Sequence, residues 1–146
     1  MLSDWLQASA ILPQADLTTS EAAIQVSGHL LVRNDYADKS YVTAMLENYS
    51  KNGNYIVIAP GIAIPHAAPG SMVHHQGLSL VTLKHPLNFG HPLNDPVCLV
   101  FGFCAPDHEG HLDMLMDLAA LLEQPQYVTR IQNAATKEEI LQIISE

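Results

Sequence analysis

The sequence predicts an α/β fold: a central mixed β-sheet flanked by helices on both faces. Three observations carry that expectation. Helical patterns stand before, between and after short apolar stretches, the order of a layered α/β chain. Residues 97–104 form a nearly continuous apolar run from Val97 to Cys104, the mark of a central strand covered on both faces. Between the strand-like residues 78–83 and that run there is no helix-length connection, so the sheet is mixed rather than purely parallel.

The elements follow in order. Ser20-Glu21 opens a helix with Ala23, Ile24, Val26, Leu30 and Leu31 on one side, and the pattern stops near Arg33-Asn34-Asp35. Ser40 reads as the cap of a second helix, Tyr41 to about Ser50, closed by Asn52-Gly53. Residues 55–59 are short, apolar and β-branched, so a strand. Pro60-Gly61 turns the chain, and Ile62-Ala63-Ile64 continues extended to Pro65-His66. A loop rich in glycine, proline and histidine covers 67–76, and 86–96 holds three prolines and reads as loop. Residues 111–123 form a helical pattern that His111 opens. Two shorter helices follow, 126–133 and 136–145, the second beginning with the capping-box sequence Thr136-Lys137-Glu138-Glu139. No internal repeat and no linker interrupts the chain, so residues 1–146 read as one domain.

Composition narrows the function. With 48% hydrophobic and 14% charged residues the 146-residue chain carries a true core. Six Lys+Arg against 15 Asp+Glu give a net charge of -9, a surface that disfavours nucleic acid and anionic membranes and suits a basic protein partner. No apolar stretch approaches the roughly 18 residues of a membrane span, and no basic segment precedes an apolar run at the N-terminus, so a cytoplasmic protein without signal peptide is expected. Cys98 and Cys104, six apart in one strand, are expected on the same side and about 20 Å apart, too far for a disulfide.

Eight histidines are many for this length: His29, His66, His74, His75, His85, His91, His108 and His111. Histidine ligates metal, moves protons and carries a phosphoryl group on a ring nitrogen. His108-Glu109-Gly110-His111 falls one residue short of the His-Glu-x-x-His spacing that puts two ligands on one helical face, and CxxC is absent, so no metal site is expected. Gly-x-Ser-x-Gly, the phosphate-binding P-loop and GxGxxG are absent too, which removes the usual support for a serine hydrolase, a P-loop kinase or a dinucleotide enzyme. In 59–67, two prolines and a glycine bracket an apolar tripeptide and then deliver His66. Pro65 stiffens the chain directly before the ring, at the end of a strand-like segment where α/β sites commonly sit. That provides a fixed imidazole suited to nucleophilic chemistry, or simply a histidine in a rigid turn.

The run Gly61-Ile62-Ala63-Ile64-Pro65-His66 resembles the active-site signature of the mannitol/fructose-type IIA proteins of the bacterial phosphoenolpyruvate-dependent sugar phosphotransferase system. The likeness extends over about residues 15–146: the helix around Tyr41-Val42 and Ala44-Met45-Leu46-Glu47, the turn Asp95-Pro96 before a strand, His111-Leu112 at a long helix, and the terminal helix from Thr136. Gly53-Asn54-Tyr55, followed by Ala59-Pro60-Gly61, is most similar to the ascorbate-type branch.

The resemblance implies a phosphoryl carrier, a transferase without cofactor. His66 would accept the phosphoryl group from the carrier protein HPr and pass it to a IIB component, with a membrane IIC component served indirectly. His111 would donate a hydrogen bond to a phosphoryl oxygen, with His108 the neighbouring candidate. Partner docking would use Ile62, Ile64 and Met72 inside an acidic rim of Asp107, Glu109 and Asp113. Mannitol-type proteins carry an arginine where this chain has Asn48; Lys84 and Arg33 are the cations expected nearest, and neither matches the pattern. A regulatory IIA-like interaction protein of the same fold is the alternative reading. Sugar specificity and oligomeric state, monomer or homodimer, stay open.

Overall fold

A computed structural model describes residues 2–146, apart from the side chain of His111. The strands are β1 (Ile11–Ala15), β2 (Val57–Ala59), β3 (Ile62–Ala63), β4 (Gly77–Leu87) and β5 (Val97–Cys104), and the helices are α1 (Ser20–Arg33), α2 (Lys39–Asn52), α3 (His108–Leu122), α4 (Pro125–Asn133) and α5 (Lys137–Ile144). The strands form one five-stranded sheet in the order β1-β4-β5-β3-β2. β1 runs parallel to β4 and β3 parallel to β5, while β4 with β5 and β2 with β3 are antiparallel, so the sheet is mixed. One face packs residues of α1 and α2, including Ile24, Leu31, Tyr41 and Met45, against Val81 and Val100. The other packs Met114, Leu118, Ile131 and Ile140 of α3, α4 and α5 against Leu80, Leu99 and Phe101. Every residue of β5 is buried, as its composition predicts.

Local chemistry explains the helix ends. The Thr19 hydroxyl accepts from Ala22 N–H at the start of α1, and Thr136 accepts from Glu139 N–H at the start of α5. Helix α2 begins two residues before the sequence suggests, with Asp38 rather than Ser40 at the N-cap position. Its end is the expected Gly53, in the left-handed region at φ 74°. Residues 55 and 56 belong to a 3₁₀ turn, Gly53–Ile56, and extended structure starts only at Val57. Asn54 Nδ2 donates to the Gly90 carbonyl at 2.6 Å, which fixes that turn to the loop before β5. His111 does not open its helix: α3 starts at His108 behind the cap Asp107, whose carboxylate accepts from Gly110 N–H at 2.9 Å.

The two cysteines lie on opposite faces of the sheet, not the same one. Cys98 packs with the α3–α5 face and Cys104 with the α1–α2 face. The amides of Cys98 and Leu99 both donate to the Gly61 carbonyl, at 2.8 and 3.0 Å. Two consecutive donors on one acceptor make a bulge, which breaks the strict alternation and flips the strand's phase. Both thiols are buried and free of disulfides. Burial pushes the Cys104 thiol up to about 12.

Candidate functional site

The bulge lies where the Gly61–His66 segment begins. Gly61 sits at φ 79°, a conformation that disfavours any side chain, and its N–H donates to the Asn94 carbonyl at 2.9 Å. The loop supplying Asn94 is held by Asp95, whose carboxylate accepts from the N–H groups of Phe89, Gly90 and His91. From Gly61 onward every step is tied down. Ile62 and Ala63 pair with Leu99 and Val100, Ile64 N–H donates to the Ile56 carbonyl at 2.8 Å, and the Pro65 carbonyl accepts from Phe103 N–H at 3.2 Å. Beyond His66, Tyr41 takes over: its hydroxyl accepts from Ala67 N–H at 3.0 Å and donates to the Phe103 carbonyl at 2.8 Å. Burial raises the Tyr41 phenol's pKa, so the hydroxyl keeps the proton it donates.

His66 therefore stands half-buried at the edge of the sheet where the parallel strands β3 and β5 end. Its ring lies between Phe103, 6.0 Å away centroid to centroid, and Tyr55, edge-on at 5.7 Å and 82°. Nδ1 is 2.8 Å from the Ile64 carbonyl oxygen. A carbonyl oxygen only accepts, so Nδ1 carries the proton, and in the neutral ring Nε2 keeps the lone pair. The Tyr55 hydroxyl lies 3.3 Å from Nε2 and is its donor. Asn48 Nδ2 donates to the Tyr55 hydroxyl at 2.6 Å and to the His66 carbonyl at 2.8 Å, and Asn52 Nδ2 donates to Asn48 Oδ1 at 2.7 Å.

Several expected residues fall differently. The side chain of His111 lies outside the described residues; its backbone is in the first turns of α3, which leaves the sheet from the same edge as His66. His108 is exposed in the first turn of that helix. Ile62 and Ile64 are each 1% exposed, so they hold the strand in the core and offer nothing to a partner. Met72 is half-buried, and Asp107, Glu109 and Asp113 are exposed. Lys84 lies beyond the Thr82–Leu99 pair, towards the edge opposite His66, because Gly77 at the start of β4 pairs with Cys104. Asn48 does occupy the site. Tyr55, Asn52 and Tyr41 are site residues to which the sequence assigned no role, although Tyr55 stands in the very run that carries the ascorbate-type likeness. Among the described residues, no group of three or more His, Cys, Asp or Glu side chains is placed to hold a metal.

Fold and site together define an α/β protein with one histidine mounted rigidly at the strand ends of a mixed sheet. The chain belongs to the EIIA 2 family of the phosphoenolpyruvate-dependent sugar phosphotransferase system, whose family description matches residues 4–146. It is 37% identical over 132 residues to the ascorbate-specific phosphotransferase EIIA component of Escherichia coli K12, covering 90% of this chain and 86% of that protein. The mannitol-specific cryptic phosphotransferase enzyme IIA of Escherichia coli has the same fold, with a TM-score of 0.87, 28% identity, and 99% and 97% of the two chains covered. So does the mannitol IIA protein solved in complex with phosphorylated enzyme IIB from Escherichia coli, with a TM-score of 0.85 and 24% identity over 96% of this chain and 98% of that one. Among the described residues, no helix is long and apolar enough to cross a membrane.

Proposed function

We infer that residues 1–146 act as one cytoplasmic IIA domain that carries a phosphoryl group on Nε2 of His66. HPr is the donor, a IIB component is the acceptor, and a membrane IIC component benefits downstream. The observation that carries this reading is the pinned Nδ1. With that proton committed to the Ile64 carbonyl, the ring has one tautomer, and its remaining lone pair is at the nitrogen that points away from the segment holding it. Membership of the EIIA family supplies the chemistry such a ring would perform. The ascorbate-specific relatives favour uptake of an ascorbate-like sugar acid over a purely regulatory role.

In the transfer step, the N–P bond of the donor's phosphohistidine breaks as the His66 Nε2 lone pair forms the new N–P bond. The donor ring, protonated at its other nitrogen, leaves as neutral imidazole. His66 keeps its Nδ1 proton, and the Ile64 carbonyl stabilises the positive charge its ring acquires. His111, in the first turns of α3, is the proposed donor to a phosphoryl oxygen, near a helix end that favours anions.

Incubation with phosphoenolpyruvate, the first phosphotransferase enzyme and HPr tests the reading. The protein should gain the mass of one phosphoryl group, lost in acid and stable in base, and His66→Gln should gain none. Phosphorylation of that variant would overturn the assignment.

A further inference from the structure

Asn48 stands where mannitol-type proteins carry a cation, and it is wired to the ring through Tyr55. We propose that the Tyr55 hydroxyl, oriented by Asn48, is a catalytic group that donates a hydrogen bond to the phosphoryl group as it reaches His66, in place of a cationic clamp. This rests on the reading of His66 as the phosphoryl acceptor.

The geometry makes Tyr55 more than a surface residue. It is 48% exposed, so core burial does not hold it. Its backbone is held instead. Gly53 ends α2, Asn54 is bonded to Gly90, and Ile56, 1% exposed, is anchored in the core. Its hydroxyl oxygen accepts from Asn48 Nδ2, so the single phenolic proton is aimed onward, at His66 Nε2. Asn52, one turn along α2, fixes the Asn48 amide by donating to its Oδ1, which leaves Nδ2 as the end facing Tyr55 and the His66 carbonyl. Asn52, Asn48, Tyr55 and His66 thus form a directed chain of hydrogen bonds in which each link sets the orientation of the next.

At rest the phenolic proton covers the Nε2 lone pair. When that lone pair becomes the N–P bond, the hydroxyl loses its nitrogen acceptor. The arriving group brings anionic oxygens, bonded to the phosphorus on Nε2, into reach of the same proton. The hydroxyl exchanges one acceptor for a more negative one, and Asn48 stays on its oxygen throughout. No proton changes owner: Tyr55 remains a neutral phenol, and only the partner of its O–H changes. A neutral donor chain of this kind stabilises negative charge by orientation rather than by opposite charge.

Tyr55→Phe keeps the ring against His66 and removes only the hydroxyl. With phospho-HPr as donor, rapid-quench measurement should give a first-order transfer rate about ten- to a hundredfold lower, the scale of losing one preoriented donor. The donor concentration at half-saturation should stay near that of the native protein, and thermal unfolding should be unchanged. A long-range proton–nitrogen spectrum of the unphosphorylated protein should show the His66 Nε2 resonance displaced in Tyr55→Phe, with Nδ1 still protonated; a purely structural tyrosine would leave that nitrogen alone. Transfer at the native rate, or an unmoved Nε2 resonance, overturns the role of Tyr55. Native protein that takes no phosphoryl group on His66 overturns instead the reading on which it rests, so the two failures are distinguishable.

Discussion

At the scale of single residues, the site depends on groups that hold backbone. Tyr41 is 1% exposed and its hydroxyl bridges Ala67 N–H and the Phe103 carbonyl, joining the chain after His66 to the end of β5. Tyr41→Phe removes both bonds at once and leaves buried main-chain groups without that partner. The expected cost is about 1–3 kcal/mol, read as a lower urea midpoint with an unchanged slope. Equal midpoints would show that the bridge contributes nothing.

His74 makes a second, pH-dependent tie. Its Nε2 is 2.7 Å from an Asp38 carboxylate oxygen and its Nδ1 3.5 Å from Asp35. The hydrogen bond to Asp38 raises the His74 pKa above its ordinary value, and Asp35 acts in the same direction. A histidine whose pKa is raised by folding stabilises the fold when protonated. The contribution is full below about pH 6.5, the unperturbed value, and disappears as pH rises through the raised one. The melting temperature of the native protein should therefore exceed that of His74→Gln at low pH, and the gap should close on the alkaline side. A gap that widens with pH would contradict the sign.

At the scale of elements, the sequence made the long helices and the buried strand legible, because their signals are local. Thr19 and Thr136 cap where a threonine before a helical pattern should, and residues 97–104 are apolar enough to announce a strand covered on both faces. β1 was not legible. Pro13 interrupts a stretch of only five residues, and the register against β4 shifts between Leu12 and Ala15, so its existence depends on parallel pairing with residues far along the chain. The bulge at Cys98 and Leu99 was equally hidden, because it arises from the carbonyl of Gly61, in the turn between β2 and β3.

That bulge and Gly61 form one device, which aims the segment ending in His66. A Cβ on Gly61 would meet Cys98 Sγ at 3.1 Å and would sit on a backbone with φ 79°. Gly61→Ala should lower stability by about 1–3 kcal/mol through that strained conformation. It should also slow phosphorylation of the folded protein, since His66 is positioned from this point. A stable variant with native transfer rate would separate the bulge from the site.

At the scale of the whole molecule, the candidate site was half legible. Pro65 and the apolar segment before it mark His66 as a rigidly held ring, and the resemblance of residues 61–66 to a family signature singles it out, all within six residues. Tyr55, Asn48 and Asn52 come together only because α2 ends at Gly53 and the turn after it folds back against the strand that leads to His66. In the sequence, residues 55–59 looked like one strand, and a strand would have given Tyr55 no reason to face Nε2. The apolar docking residues were misread for a related reason. Ile62 lies in β3, between β2 and β5, and Ile64 follows that strand directly, so both are enclosed by neighbours and closed to a partner.

The proposed phosphorylation of His66 turns on one nitrogen, Nε2. Its most direct test is a proton–nitrogen correlation spectrum of the nitrogen-15-labelled phosphorylated protein, in which phosphorus coupling marks the nitrogen bonded to phosphorus. Coupling is expected at Nε2 of His66, with Nδ1 retaining the proton it shares with the Ile64 carbonyl. Phosphorus coupling at Nδ1, or at a histidine other than His66, would contradict it.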